Sequence, residues 1–265
     1  MLFRSTNATD DVFVRDRQNG TTARVSLSST GLQGNRGSGD LGLAISADGQ
    51  FVAFASQASN LVAGDTNLHV CGHGTCGYDV FVRDLKAATT ERVSVSSTGV
   101  QGNGPSFHPA ISRDGRFVAF ASITSTLVPG DSNGSEDVFV RDRQTGTTEL
   151  ASVSSLGAQG SGDSFAPAIS RDGRFVAFAS AATGLVPGDT NHKGDVLVRD
   201  RQAGTTVRVS VSSAGAQANG DSGVSRGDPG VALSADGQAV AFASDASNLV
   251  QGDTNGKIDI FVHAH

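Results

Sequence analysis

The apolar positions of this chain fall into short runs that recur. Val-Ala-Phe-Ala-Ser stands at residues 52–56, 118–122, 176–180 and 240–244. A second run, Asp-Val-Phe-Val or a close variant, begins at Asp11, Asp79, Asp137, Asp195 and Asp259. Each run is too short for a helix, and the first is apolar on both faces, as in a strand sandwiched between two sheets. Residues 105–155 serve as the reference copy. His108–Ser112 predicts strand a, Arg113-Asp114-Gly115 a tight turn, Phe117–Ser122 strand b and Asp137–Asp142 strand c. Gln144-Thr145-Gly146 turns the chain into strand d, Thr147–Ser155. In the later copy Val209 and Val211 alternate with Arg208 and Ser210, which predicts one wet face for strand d.

Four antiparallel strands per unit, with turn residues at every joint, predict an all-β chain and a β-propeller. A solenoid needs shorter, more uniform rungs, and a Greek-key sandwich does not repeat its sequence. No composition break divides residues 1–265, so a single domain is expected. The strands read c-d, then a-b-c-d three times, then a-b-c. The expectation is four blades, with the C-terminal a-b joined to the N-terminal d to close the ring. Strand c is then supplied twice, by residues 11–16 and 259–265, so the surplus copy is displaced or pairs elsewhere. A fragment of a larger propeller, or a ring completed by homo-oligomerisation, stays open.

The pattern Ser-x-Asp-Gly-x-x-Val-Ala-Phe-Ala-Ser followed by Asp-Val-Phe-Val-Arg-Asp resembles the propeller repeat of the bacterial TolB family. The resemblance runs over nearly the whole chain and implies the fold. It implies little about activity, because such repeats serve scaffolds, peptidase gates and enzymes alike. The family's tryptophan in strand a is missing, and the chain has no Trp.

Length differences locate the variable face. Extra residues fall in the b–c connection around residues 68–78 and in the d–a connection at 222–229, never in the a–b turns. Both connections are expected at the mouth of the central channel, where loops on a rigid frame present binding residues. Net charge is −6 with no basic stripe, which argues against nucleic acid as a partner. No apolar run approaches the length of a membrane span. The opening residues are too short for a secretory signal, and the chain is expected to begin inside a longer gene.

The strongest chemical pattern is Gly-Asp-Thr/Ser-Asn with a downstream Asp: Asp65/Asn67/Asp79, Asp131/Asn133/Asp137, Asp189/Asn191/Asp195 and Asp253/Asn255/Asp259. Alternating carboxylate and amide oxygens suit Ca²⁺. They equally suit turns in which Asp and Asn bond backbone amides. Cys71 and Cys76 suggest a local disulfide and hence a secreted, periplasmic or cell-envelope setting; with His69 and His73 a zinc site is the alternative. His108 begins strand a where the other copies carry Gly42, Ala166 and Gly230, making it a weak catalytic candidate. The Arg-Asp pairs 83–84, 141–142 and 199–200 are expected to form ion pairs that hold neighbouring blades.

The functional expectation is a calcium-stabilised binding or scaffold module, without chemistry of its own, that takes a protein or small-molecule ligand on its loop face. The alternative is a metal-dependent hydrolase of esters, lactones or phosphotriesters at the channel mouth.

Overall fold

The computed structural model describes residues 7–67, 77–225 and 228–264. It is built of antiparallel sheets. β1 (Phe13–Asp16) pairs with β2 (Thr21–Arg24). Three four-stranded blades follow. The first is β3 (Ser38–Ile45), β4 (Phe51–Ser56), β5 (Asp79–Asp84) and β6 (Thr89–Arg92). The second is β7 (Ser106–Ile111), β8 (Phe117–Ser122), β9 (Asp137–Asp142) and β10 (Thr147–Leu150). The third is β11 (Ser164–Ile169), β12 (Phe175–Ser180), β13 (Asp195–Asp200) and β14 (Thr205–Arg208). A short ladder, β15 (Val224–Ser225) with β16 (Asp228–Pro229), leads to a three-stranded sheet. That sheet is β17 (Val231–Leu233), β18 (Ala239–Ser244) and β19 (Asp259–Ala264).

The repeated side chains explain the repeated elements. In every a–b turn a serine hydroxyl donates to the turn aspartate, as Ser46 to Asp48 and Ser112 to Asp114, and a glycine follows at positive φ. Gly115 has φ +73°, and a Cβ there would lie 2.2 Å from the Phe51 ring of the preceding blade. Gly173 on Phe117 and Gly237 on Phe175 repeat the contact. Arg143 stacks on the Phe51 ring at 4.5 Å and Arg201 on Phe117 at 4.6 Å, which seals the same seams.

Each core cluster lies between two blades. Val80 and Val82 on strand c pack with Val118 and Phe120 on strand b of the next blade. Val138 and Val140 pack with Val176 and Phe178, and Val196 and Val198 with Val240 and Phe242. Strands a lie side by side, β7 touching both β3 and β11, which makes them the inner strands. Small alanines at 53, 119 and 177, fully buried, let the sheets approach.

Three expectations need correction. Among the described residues the ring is not closed, because β19 pairs only with β18 and β1 only with β2. Ile260 and Val262 are 72 % exposed, whereas their counterparts Val80, Val82, Val138, Val140, Val196 and Val198 are at most 1 % exposed. The surplus strand c is therefore not displaced; each copy sits in its own incomplete sheet. Strand d is also shorter than expected: its ladder ends at Leu150, after which the Ala151 amide still bonds the Val138 carbonyl at 2.7 Å and Ser152 turns its hydroxyl onto Asp137. The Arg-Asp pairs do not bond to one another. Arg83, Arg141 and Arg199 reach across the seam to the carbonyls of Ser28, Ser96 and Ser154. Asp142 and Asp200 take Arg116 and Arg174 of their own blades, and the ion pairs that cross seams are Arg143–Glu91 and Arg201–Glu149.

Candidate functional site on the loop rim

The b–c and d–a connections do meet on one rim. Asn133 donates to the Gly160 carbonyl at 3.3 Å, Asn191 to that of Ala218 at 3.0 Å, and the Glu136 amide to the Asp163 carboxylate at 2.9 Å. The Asp/Asn motif sits where these loops enter strand c, and its surroundings are rich in donors. Asp79, fully buried, accepts from Ser94 at 2.5 Å, Gln101 at 2.9 Å, Asn67 at 3.1 Å and Arg92 at 3.3 Å. Asp65 accepts from Gln101 and lies 3.4 Å from Arg92. In the third blade Arg208 lies 2.9 Å from Asp195 and 3.0 Å from Asp189, and Ser210 donates to Asp195 at 2.7 Å. Asn191 donates rather than offering its oxygen to a central point. In Asp65/Asn67/Asp79 and Asp189/Asn191/Asp195 a guanidinium thus lies against both carboxylates, while Asn67 Oδ1 is buried without a hydrogen-bond partner.

The second blade differs. Leu150 stands where the others carry Arg92 and Arg208. Asp137 keeps Ser152 at 2.6 Å and Asn133 at 2.8 Å, and Asp131 keeps Gln159 at 3.1 Å, with no cation among them. Burial raises both carboxyls, and each negative neighbour raises Asp137 further. Glu136 beside them is pushed up to about 8, first by burial and then by Asp163 and Asp137, and its Oε1 is buried without a hydrogen-bond partner. Asp79 is pushed up to about 6 because burial outweighs Arg92 and its hydrogen bonds. Asp253, Asn255 and Asp259 share one bond, Asn255 to Asp259 at 2.7 Å. Among the described residues, no three His, Cys, Asp or Glu side chains gather closely enough to hold a metal ion.

His108 lies on a bulge of strand a, with φ +51°, as Ala166 does at +52° and Gly42 at +108°. Burial lowers its pKa, Phe107 meets it edge-on at 5.1 Å, and its Nδ1 is buried without a partner. Among the described residues no carboxylate bonds its Nδ1. His69, His73, Cys71 and Cys76 lie outside the described residues.

Sequence reasoning did not single out Tyr78, Asp40, Glu136 or Asp163. Tyr78 donates its hydroxyl to Asp40, and both burial and that carboxylate raise the phenol. The signal was present, because the residue before strand c reads Tyr78, Glu136, Gly194 and Ile258 while the strand that follows it repeats. The frame is constant and this position is not.

No protein-family model and no curated protein matches the chain. Among solved structures it is similar to TolB from Acinetobacter baumannii, with 18 % identity and a TM-score of 0.50. That match covers 96 % of this chain and 49 % of the other. It is also similar to the putative TolB from Agrobacterium tumefaciens, with 15 % identity and a TM-score of 0.50 over 92 % of this chain and 66 % of that one. The chain thus spans about half to two thirds of the TolB chains it matches. Its repeat, blades and packing together give it a β-propeller fold similar to that of TolB, with the ring open among the described residues.

Proposed function

We propose that the chain is a binding scaffold that presents the rim formed by its b–c and d–a connections to a protein or small-molecule ligand. The observation that carries this is the contrast between a repeated frame and the unrepeated polar set on the rim. Asp40 with Tyr78, His108 and the Glu136 side chain have no counterparts in the other copies, whereas the Asp163 contact recurs where the Gly194 amide donates to Asp221 at 2.8 Å. A frame that repeats by packing and varies along one rim is the arrangement recognition surfaces use.

We confine the calcium reading to Asp131, Asn133 and Asp137, where Leu150 leaves two carboxylates without a cation. The proposed setting is secreted or periplasmic, which rests on the oxidising compartment that Cys71 and Cys76 suggest. No helix among the described residues is long and apolar enough to cross a membrane.

The test pairs a hydrolysis screen on chromogenic esters, lactones and phosphotriesters with a thermal-shift screen of peptides and metabolites. Ligand-induced stabilisation that disappears in Glu136→Gln or Tyr78→Phe, without turnover, supports the scaffold. Turnover abolished by His108→Ala would replace it with the hydrolase.

A further inference from the structure

Five asparagines are followed by glycine: Asn19, Asn103, Asn133, Asn219 and Asn255. In such a pair the next backbone nitrogen reaches the side-chain amide easily, because glycine has no Cβ to hinder the approach. The fold treats the five differently. Asn103 donates to the Ser125 hydroxyl and accepts from the Ser125 amide and the Thr126 hydroxyl. Asn133 donates to Asp137 and to the Gly160 carbonyl, and accepts from the Ser135 amide. Asn219 donates to the Ser247 hydroxyl and accepts from the Ser247 amide. Asn255 donates to Asp259 and accepts from the Lys257 amide. In all four the carboxamide is held at both ends.

Asn19, in the turn between β1 and β2, is held at one end only. Its Nδ2 donates to Asp16 at 2.7 Å, and its Oδ1 accepts no bond among the described residues. At the place of Gly20, the Gly146 and Gly204 amides donate to the Asp142 and Asp200 carbonyls at 2.9 Å; Gly20 makes no such bond among the described residues. A Cβ on Gly20 would lie 3.8 Å from Arg15 Nη2, so a guanidinium stands beside that amide. A Cβ would instead meet Ile123 at Gly104, the Asp245 carboxylate at Gly220, and nothing within 4 Å at Gly134 and Gly256. Positive charge helps an amide nitrogen shed its proton, and negative charge opposes it. Asn19 is exposed, as are Ala87, Thr145 and Ala203 at the same place in the three complete blades, so the exposure belongs to the turn and not to the end of the chain.

We propose that Asn19 is a site of spontaneous modification, converting to aspartate and isoaspartate ahead of the other four Asn-Gly pairs. The Gly20 nitrogen gives its proton to water and bonds to Asn19 Cγ. The side-chain nitrogen takes up a proton and leaves as ammonia, closing a five-membered imide. Water then opens the ring at either carbonyl, which yields aspartate or moves the chain onto the side-chain carbonyl as isoaspartate. One water enters, one ammonia leaves, and nothing is oxidised or reduced. The new carboxylate faces Asp16, whose own carboxyl is held below its usual range first by the Asn19 amide. Two anions then share the turn, and isoaspartate lengthens its backbone by a methylene, so the β1–β2 hairpin loosens. The turn lies at the other end of strand c from the rim and is independent of the rim ligand.

The test ages the full chain in mildly alkaline buffer, once folded and once in urea, and maps its peptides by mass spectrometry with isoaspartate detection. Conversion at Asn19 in the folded chain is expected to be at least about fivefold faster than at Asn103, Asn133, Asn219 or Asn255. That ratio is about 1 kcal/mol of barrier, the contribution of one hydrogen bond. In urea the five rates should converge. Asn19→Ala, which uses the residue that Ala203 supplies in the third blade, should remove the earliest product. A folded-state rate at Asn19 no higher than at any of the other four overturns the proposal. So does the same preference persisting in urea, which would assign it to the local sequence and not to the fold.

Discussion

Arg208 reaches Asp195 at 2.9 Å, and one blade earlier Leu150 holds the place of that arginine beside Asp137. One substitution in an otherwise faithful repeat separates a neutralised carboxylate node from an anionic one.

The first consequence is for stability. Asp79→Ala strands Ser94, Gln101, Asn67 and a nearly buried Arg92 without their acceptor. Removing one partner of a buried pair costs about 3–5 kcal/mol. Asp137→Ala strands Ser152 and Asn133 only, and is expected to cost about 1–3 kcal/mol. Urea unfolding of the two variants measures the difference, and equal losses would contradict the role given to Arg92.

Calcium dependence should follow Leu150. With Ca²⁺ at Asp131, Asn133 and Asp137, chelator lowers the melting temperature of the native chain, since a ligand held by the folded state stabilises it. Leu150→Arg places a guanidinium at that node, as Arg92 and Arg208 do, and the chelator effect should vanish. A native melting temperature unmoved by chelator would leave all four motifs as turns.

Stability should fall as pH rises through neutrality. Glu136 ordinarily titrates near 4.5 and is held up to about 8, so the folded chain keeps a proton that the unfolded chain has released. Its contribution is complete below 4.5 and is lost as pH rises through 8. Asp79, raised from 3.8 to about 6, adds to the lower part of the same decline. Unfolding free energies from urea titrations between pH 5 and pH 8 should therefore fall by an amount on the order of a few kcal/mol, and Glu136→Gln should flatten the upper part. A flat native profile would mean that Glu136 is solvated.

Two turn glycines test the seams. Gly115 and Gly49 share φ near +72°, yet a Cβ at Gly115 meets the Phe51 ring and one at Gly49 meets nothing within 4 Å. Gly49→Ala should cost about 1 kcal/mol, the backbone penalty alone. Gly115→Ala adds a steric clash and should cost several times more. Thermal melts of the pair would read this directly, and similar values would mean that the Phe51 seam is looser than described.

The fold was legible because it repeats. Strands b and c and the a–b turns begin and end where Val-Ala-Phe-Ala-Ser, Asp-Val-Phe-Val and Asp-Gly place them. Closure of the ring was not legible. Strand order counts edges, whereas the angle between blades depends on how Phe54, Leu61 and Phe81 fill one seam, a packing property with no linear signature. The Asp/Asn motif was found, but its meaning lay in residues two strands away. Arg92, Ser94 and Gln101 recur as regularly as Asp65 and Asp79, and the departure at Leu150 could have been read from the same alignment of copies. Glu136 and Tyr78 escaped notice because repeats draw attention to what they share.

The most direct measurement of the open ring is native-state hydrogen exchange at four equivalent amides: Val80, Val138, Val196 and Ile260. The first three bond to Ser94, Ser152 and Ser210 of strand d and should be strongly protected. The Ile260 amide, on the outer edge of β19, should exchange orders of magnitude faster in the isolated chain. Protection at Ile260 equal to that at Val80 would contradict an open ring.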